Sequence, residues 1–190
     1  MKFGVIMADP NWEFKTYSAK GQKKSAQRHY ACRDAGWIAS LDVASIAADD
    51  CALFLWATWP TMPQWLDVIE SWGFKYSGLA WEWIKKNPAT GKYAFGTGYG
   101  TRKNLEPCLL ARRGTPKLLS RSERDFIFSP KREHSRKPDD QYPIIERMYS
   151  GPYVELFGRP HNCRDGWVTL GNEVTGNDMA LDLKLTAEKD

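Results

Sequence analysis

The chain is most informative at first for what it lacks. It has no run of about 18 or more uncharged apolar residues, so no helix is expected to cross a bilayer. Met1 leads straight into KFGVIMA rather than into a charged start and an apolar h-region, so no secretion signal is expected and a cytoplasmic setting fits. The cysteines Cys32, Cys51, Cys108 and Cys163 stand far apart and form no CxxC pair. That argues against a zinc site or a disulfide framework and for reduced thiols. The Gly-rich GTGYG (96–100) lacks a GK[ST] ending and a strand-to-helix setting, so it reads as a tight turn and not a phosphate loop. His29 and His134 lie in basic loops, where solvation accounts for them. There are no repeats and no clear linker. One domain over 1–174 is expected, with the polar stretch 175–190 as a flexible tail.

What is present is a globular composition, 42% hydrophobic, in a chain long enough for one real core. Nine tryptophans either fill that core or stack on bases. Positive charge is concentrated in two segments. Lys85 to Lys137 holds fourteen Lys/Arg against Glu106, Glu123, Asp125 and Glu133. Glu13 to Asp34 holds six, among them Lys15, Lys20, Lys23, Lys24 and Arg28, against those two acids. Each segment is either a solvated surface or part of a groove for a polyanion.

Seven apolar segments read as strands: 2–8, 52–58, 74–84, 106–112, 125–129, 153–158 and 167–171. Several are almost continuously apolar, as in a sheet covered on both faces. Helical patterns lie at 40–48 with Ser40 as N-cap, at 61–73 with Gly73 as stop, and at 138–151 despite Pro143. Strands alternating with helices predict an α/β layered fold with a mostly parallel sheet. Residues 13–36 and 113–137 read as long loops, which in compact domains are functional or disordered.

The first strand ends in MADPNW. In open α/β sheets ligands bind beyond the carboxyl ends of strands, where Asp9, Pro10, Asn11 and Trp12 would sit. Pro10 fixes the turn, Asp9 supplies an acceptor and Trp12 a flat face. The set suits an exocyclic amine on a base, whose lone pair is delocalised into the ring. Two acceptors, the Asp9 carboxylate and the Pro10 carbonyl, could draw its two hydrogens and restore the nitrogen's nucleophilicity. Stacking on Trp12 would hold the ring for roughly 1–3 kcal/mol. The bland alternative is a capped turn with Trp12 in the core.

The motif and the C-terminal third resemble the "DPPW" family of S-adenosyl-L-methionine (SAM)-dependent adenine N(6)-methyltransferases, which spans the messenger-RNA enzyme's catalytic subunit and bacterial and phage DNA enzymes. The resemblance runs through VIMADPNW, ALFLWAT, GTGYGTRKNLEPCLLARRG, HSRKPDDQYPIIERM and VELFGRPHNCRDGWVTLGNEV, in the family's order. It implies a Rossmann-like, seven-stranded methyltransferase fold with helices on both faces and the catalytic motif ahead of the cofactor segment. It implies a catalytic loop at Asp9, Pro10, Asn11 and Trp12. It implies SAM contacts by Asp9, by Lys137 through the cofactor carboxylate, by Phe157, Arg159, His161 and Asn162 around the nucleoside, and by Asn172 and Glu173 at the ribose. Glu106 either faces the site or satisfies a turn. Asn11 stands where the family usually has proline. Relatives often carry a segment ahead of the catalytic strand that helps recognise the SAM adenine. Here the strand begins at residue 2, so that recognition is expected either from elsewhere, such as the 159–162 loop, or to be weak.

The expected function is methyl transfer to the 6-amino group of adenine in nucleic acid, DNA favoured over RNA, with no metal. Lys15, Lys20, Lys23, Lys24, Arg28, Arg102, Lys103, Arg121 and Arg132 would grip the strand. A homodimer or a partner subunit is compatible with a chain carrying no target-recognition domain. Two rivals remain: a non-catalytic nucleic-acid-binding subunit, and methylation of the cytosine amine.

Overall fold

The computed structural model describes residues 1–13, 33–96, 100–133 and 135–189. Each of the seven expected strands has a counterpart: β1 (Phe3–Ala8), β2 (Ala47–Trp56), β3 (Lys75–Lys86), β4 (Leu105–Arg113), β5 (Phe126–Pro130), β6 (Tyr153–Leu156) and β7 (Trp167–Leu170). They form one sheet in the order β5-β3-β4-β2-β1-β6-β7. Pairs β1–β2, β1–β6, β3–β5 and β6–β7 are parallel, and β4 pairs antiparallel with both β2 and β3. Six strands therefore point one way and β4 alone is reversed. The carboxyl ends of the six and the start of β4 share one edge of the sheet. Chain order turns from one side to the other at β1, which has β2 on one flank and β6 on the other. Such a switch point opens a crevice at the strand ends.

Strand alternation divides the core. Ile6, Ala8, Leu53 and Leu55 face one side, where helices α1 (Ala35–Ala39), α2 (Trp65–Ser71) and α5 (Met179–Ala187) pack through Ile38, Val68, Ile69, Met179 and Leu183. Val5, Met7, Phe54 and Trp56 face the other, covered by helix α3 (Gln141–Met148) through Tyr142 and Ile145. Helices on both faces explain why β1 and the 51–56 part of β2 are apolar throughout.

Two expectations are corrected. The helix predicted over 40–48 is only a 3-10 turn at Val43–Ile46, capped by Asp42, and Ser40 closes α1 instead of opening a helix. β2 already begins at Ala47, and its register jumps between the Phe3–Ala47 and Val5–Ala52 pairs, so Asp49 and Asp50 bulge into solvent. The tail expected to be flexible contains α5. Asp178 accepts from the Leu181 N–H as its N-cap, and Met179 and Leu183 enter the core. Buried Asp182 accepts from Thr175 Oγ1 at 2.8 Å and Asn177 Nδ2 at 3.0 Å, tying α5 to the short helix α4 (Asn172–Thr175). The helices expected over 61–73 and 138–151 occur as a 3-10 turn running into α2 and as α3. Gly73, at φ +80°, terminates the first.

Candidate active site

Asp9 follows β1 at the shared strand edge, and the next two residues form a tight turn. The Trp12 N–H donates to the Pro10 carbonyl at 2.9 Å, closing a γ-turn about Asn11. The turn is clamped from outside: Arg33 N–H donates to Asn11 O and Glu13 N–H to Arg33 O, each at 3.0 Å. The ends of the 13–36 loop thus meet at the site. The Pro10 carbonyl keeps a second lone pair for a ligand.

Trp12 is not a stacking platform in this structure. It is 4% exposed, lies in the core and donates from Nε1 to the Trp56 carbonyl at 2.9 Å. This corrects the stacking role expected for it. With its ring in the core, Trp12 anchors the loop that carries Asp9 instead.

The Asp9 carboxylate is held in a chain of alternating charge. Lys137 Nζ donates to Asp9 Oδ2 at 2.8 Å and lies 3.1 Å from Glu106 Oε1, while Lys85 Nζ lies 2.6 Å from Glu106 Oε2. Glu106 therefore faces the site. Lys137 is 7% exposed, not the surface lysine its sequence position would allow, and Asp9 keeps 28% of its side chain open. Burial would raise the Glu106 pKa, but Lys137 and Lys85 hold it down to about 2. Burial would lower that of Lys137, and its two carboxylates more than offset this, so the ammonium is held charged. Asp9 shares one lysine with Glu106. Burial pushes its carboxyl up, Lys137 opposes, and the Glu106 charge adds to the push. The arrangement yields an accessible carboxyl with raised proton affinity beside a firmly ionised support.

Beside this charge chain, at the switch point, lies a cavity of about 340 Å³ lined by Asn11, Phe157, Arg159, Asn172 and Glu173 among the expected residues. Phe157 adopts a left-handed φ of +63°, uncommon for a residue with a side chain. It turns the chain out of β6. Gly158 and Gly171 bring the ends of β6 and β7 so close that a Cβ on Gly171 would collide with the Gly158 carbonyl. Arg159 reaches Glu173 at 3.6 Å, and its charge also acts on Asp9.

His161 and Asn162 do not line the cavity. His161 is exposed, and partial burial with the Arg136 and Arg159 charges lowers its pKa. Asn162 is bonded inward, with Oδ1 accepting from the Arg159 N–H at 2.8 Å. The cavity also uses residues the sequence reading missed: Arg33, Trp37, Ile38, Asp178 and Met179. A local signal existed for two of them. Asp34 is an N-cap accepting from the Trp37 N–H at 2.7 Å, and a D-x-x-W start after a loop marks the helix that delivers Trp37 and Ile38.

Of the basic residues, Lys15, Lys20, Lys23, Lys24 and Arg28 lie outside the described residues, as do His29, Cys32, His134 and 97–99 of the glycine turn. Arg102 and Lys103 are exposed just ahead of β4, on the site's edge of the sheet. Arg121 falls between the end of β4 and the start of β5, at the opposite edge, which removes it from the site's mouth. Arg132 is engaged: it pairs with Asp139 and donates to the Lys137 carbonyl at 2.8 Å, bracing the segment that carries Lys137. Its expected role as a strand grip gives way to a structural one. No group of His, Cys, Asp and Glu among the described residues could hold a metal, and no described helix is long and apolar enough to cross a membrane.

The mixed seven-stranded sheet, with its acid-ended first strand and a cavity across the switch point, is a Rossmann-like methyltransferase fold. The chain belongs to the MT-A70 family, whose pattern it matches over residues 3–173. It is similar to an N(6)-adenosine-methyltransferase MT-A70-like protein of Drosophila melanogaster, 35% identical over 179 residues, which are 92% of this chain and 27% of the relative. The human N(6)-adenosine-methyltransferase catalytic subunit METTL3 is 32% identical over 178 residues, 92% of this chain and 29% of that protein. Type II methyltransferase M.MunI of a Mycoplasma species is 30% identical over 199 residues, covering 95% of this chain and 81% of its own. The chain thus spans under a third of the length of the two animal relatives.

Proposed function

We propose that the chain transfers a methyl group from SAM to the 6-amino group of adenine in nucleic acid, with DNA as the favoured acceptor. The observation that carries this reading is the placement of an open, lysine-braced Asp9 beside a cavity of nucleoside character. The donor set fits SAM. Glu173 and Asn172 suit ribose hydroxyls, Trp37, Ile38 and Phe157 suit a flat apolar ring, and about 340 Å³ lies within the usual range of small-molecule sites. Lys137 has three ammonium protons; Asp9 and Glu106 engage two, and the third would meet the cofactor carboxylate. The cofactor supplies the activated methyl group. Asp9 and the Pro10 carbonyl would accept hydrogen bonds from the two amine hydrogens, which localises the lone pair on nitrogen. The N–CH3 bond forms as the CH3–S bond of the donor breaks, and the one proton released would go to Asp9 while the other N–H stays on the product. A base in a duplex would have to be flipped out. DNA is favoured because the type II relative matches along most of both lengths.

The test is tritiated SAM with matched DNA and RNA pools, followed by nucleoside separation. Label in N(6)-methyladenine from DNA is expected; label in methylcytosine alone, or in RNA alone, would reject the acceptor named here. Asp9→Asn should lower transfer by at least ~100-fold with SAM affinity changed by less than about threefold. Retained activity would remove Asp9 from the chemistry.

A further inference from the structure

The loop after β6 carries Arg159 to the cavity wall, and a side-chain tether of that loop runs into the core. Asn162 Oδ1 accepts from the Arg159 N–H at 2.8 Å, and Asn162 Nδ2 donates to Tyr142 Oη at 2.9 Å. The Tyr142 hydroxyl donates onward to Glu155 Oε2 at 2.8 Å. Tyr142 is 1% exposed and Glu155 4%. The path therefore begins on buried β6, crosses to α3 and returns to the backbone of a cavity residue. The loop it reaches leaves β6 through Phe157 at φ +63°, a conformation its surroundings must hold in place.

We propose that Tyr142 and Glu155 are positioning residues of the cofactor site: the Tyr142 hydroxyl, oriented by Glu155, fixes Asn162 and through it holds Arg159 at the cavity wall. This rests on the cofactor reading above. It makes Asn162 a support of the site. The ring of Tyr142 has separate work. It packs edge-on against Trp167 at 5.2 Å and lies 3.7 Å beneath the Arg164 guanidinium. Tyr142→Phe keeps both contacts and removes the hydroxyl alone. Burial raises the Glu155 pKa to about 8, so near neutrality Gln reproduces the protonated acid. Glu155→Leu removes the acceptor.

The experiment uses the full chain and its Tyr142→Phe, Asn162→Ala, Glu155→Gln and Glu155→Leu variants, each checked by thermal melting. Calorimetry measures binding of SAM and of 5′-methylthioadenosine, which lacks the amino-acid half. Tyr142→Phe, Asn162→Ala and Glu155→Leu should weaken both ligands by the same factor, about five- to tenfold. KM for SAM should rise with kcat within about twofold, and Glu155→Gln should bind like the unaltered chain. A merely structural role would lower stability without this matched loss and without the Gln rescue. SAM binding by the unaltered chain with no change in folded Tyr142→Phe and Asn162→Ala would overturn the positioning role alone. Failure of the unaltered chain to bind SAM would overturn the cofactor reading and this role with it.

Discussion

Glu155 couples stability to pH in a direction opposite to that of most carboxylates. Its folded pKa is raised, chiefly by burial, to about 8 from 4.5. Below 4.5 both states hold the proton and the contribution is fully present. As pH rises toward 8, the unfolded chain releases the proton while the folded chain keeps it, so stability falls and then levels. Denaturant unfolding from pH 5 to 8 should show the unaltered protein losing on the order of a few kcal/mol relative to Glu155→Gln. Parallel curves would mean that Glu155 is ionised in the fold. Glu106 acts with the opposite sign and in a separate window, between its ordinary value and about 2, where the lysine pairs that stabilise it are lost to acid. Both acids show the limit of reading residues from the chain alone. The segment around Lys137 pointed to that residue, but its partner Asp9 lies 128 positions away. Nothing local distinguishes an exposed lysine from one buried between two carboxylates.

The central strands were legible because each holds a short apolar run covered on both faces, whereas β3 and β5 leave Tyr76, Leu79, Phe126 and Phe128 exposed and were legible from the apolar residues they carry. The reversal of β4 was not, since no local pattern encodes direction. β2 was trimmed because Asp49 and Asp50 look like a strand's end, whereas a bulge carries them outward while Ala47 still pairs with Phe3. The C-terminal helix was missed because its leucines alternate at Leu181, Leu183 and Leu185 and form no helical stripe: Met179 and Leu183 are buried while Leu181 and Leu185 are exposed, and burial of Asp182 depends on partners from the preceding turn. Trp12 shows the same ambiguity in a loop. An indole beside a carboxylate fits a base platform and a core anchor equally well in sequence, and the Trp56 carbonyl decides for the anchor. Trp12→Ala should therefore cost about 3–5 kcal/mol of stability, measured by chemical denaturation. A loss of activity with unchanged stability would return Trp12 to the substrate.

At the scale of the whole molecule, charge count and charge placement give different answers. The net charge is only +4, and the basic residues between β3 and α3 divide between the two edges of the sheet. Arg102 and Lys103 stand on the edge that holds Asp9, Arg121 stands on the other, and Arg132 is tied to Asp139 and the Lys137 carbonyl. A strand entering the site would meet the first two and not the third. Each cation that neutralises a phosphate contributes about 0.9 to the slope of log affinity against log salt on duplex DNA. Replacing Arg102 and Lys103 together by Gln should lower that slope by about 2, with a roughly uniform loss across sequences. Arg121→Gln should leave the slope unchanged. Arg132→Gln should also leave it unchanged while reducing methyl transfer, because what it releases is the segment that presents Lys137 to Asp9. Fluorescence anisotropy of labelled DNA over a salt series separates these outcomes. An equal response to all four residues would mean that binding is set by net charge, and the edge of the sheet at which Asp9 sits would then have no bearing on where the strand lies.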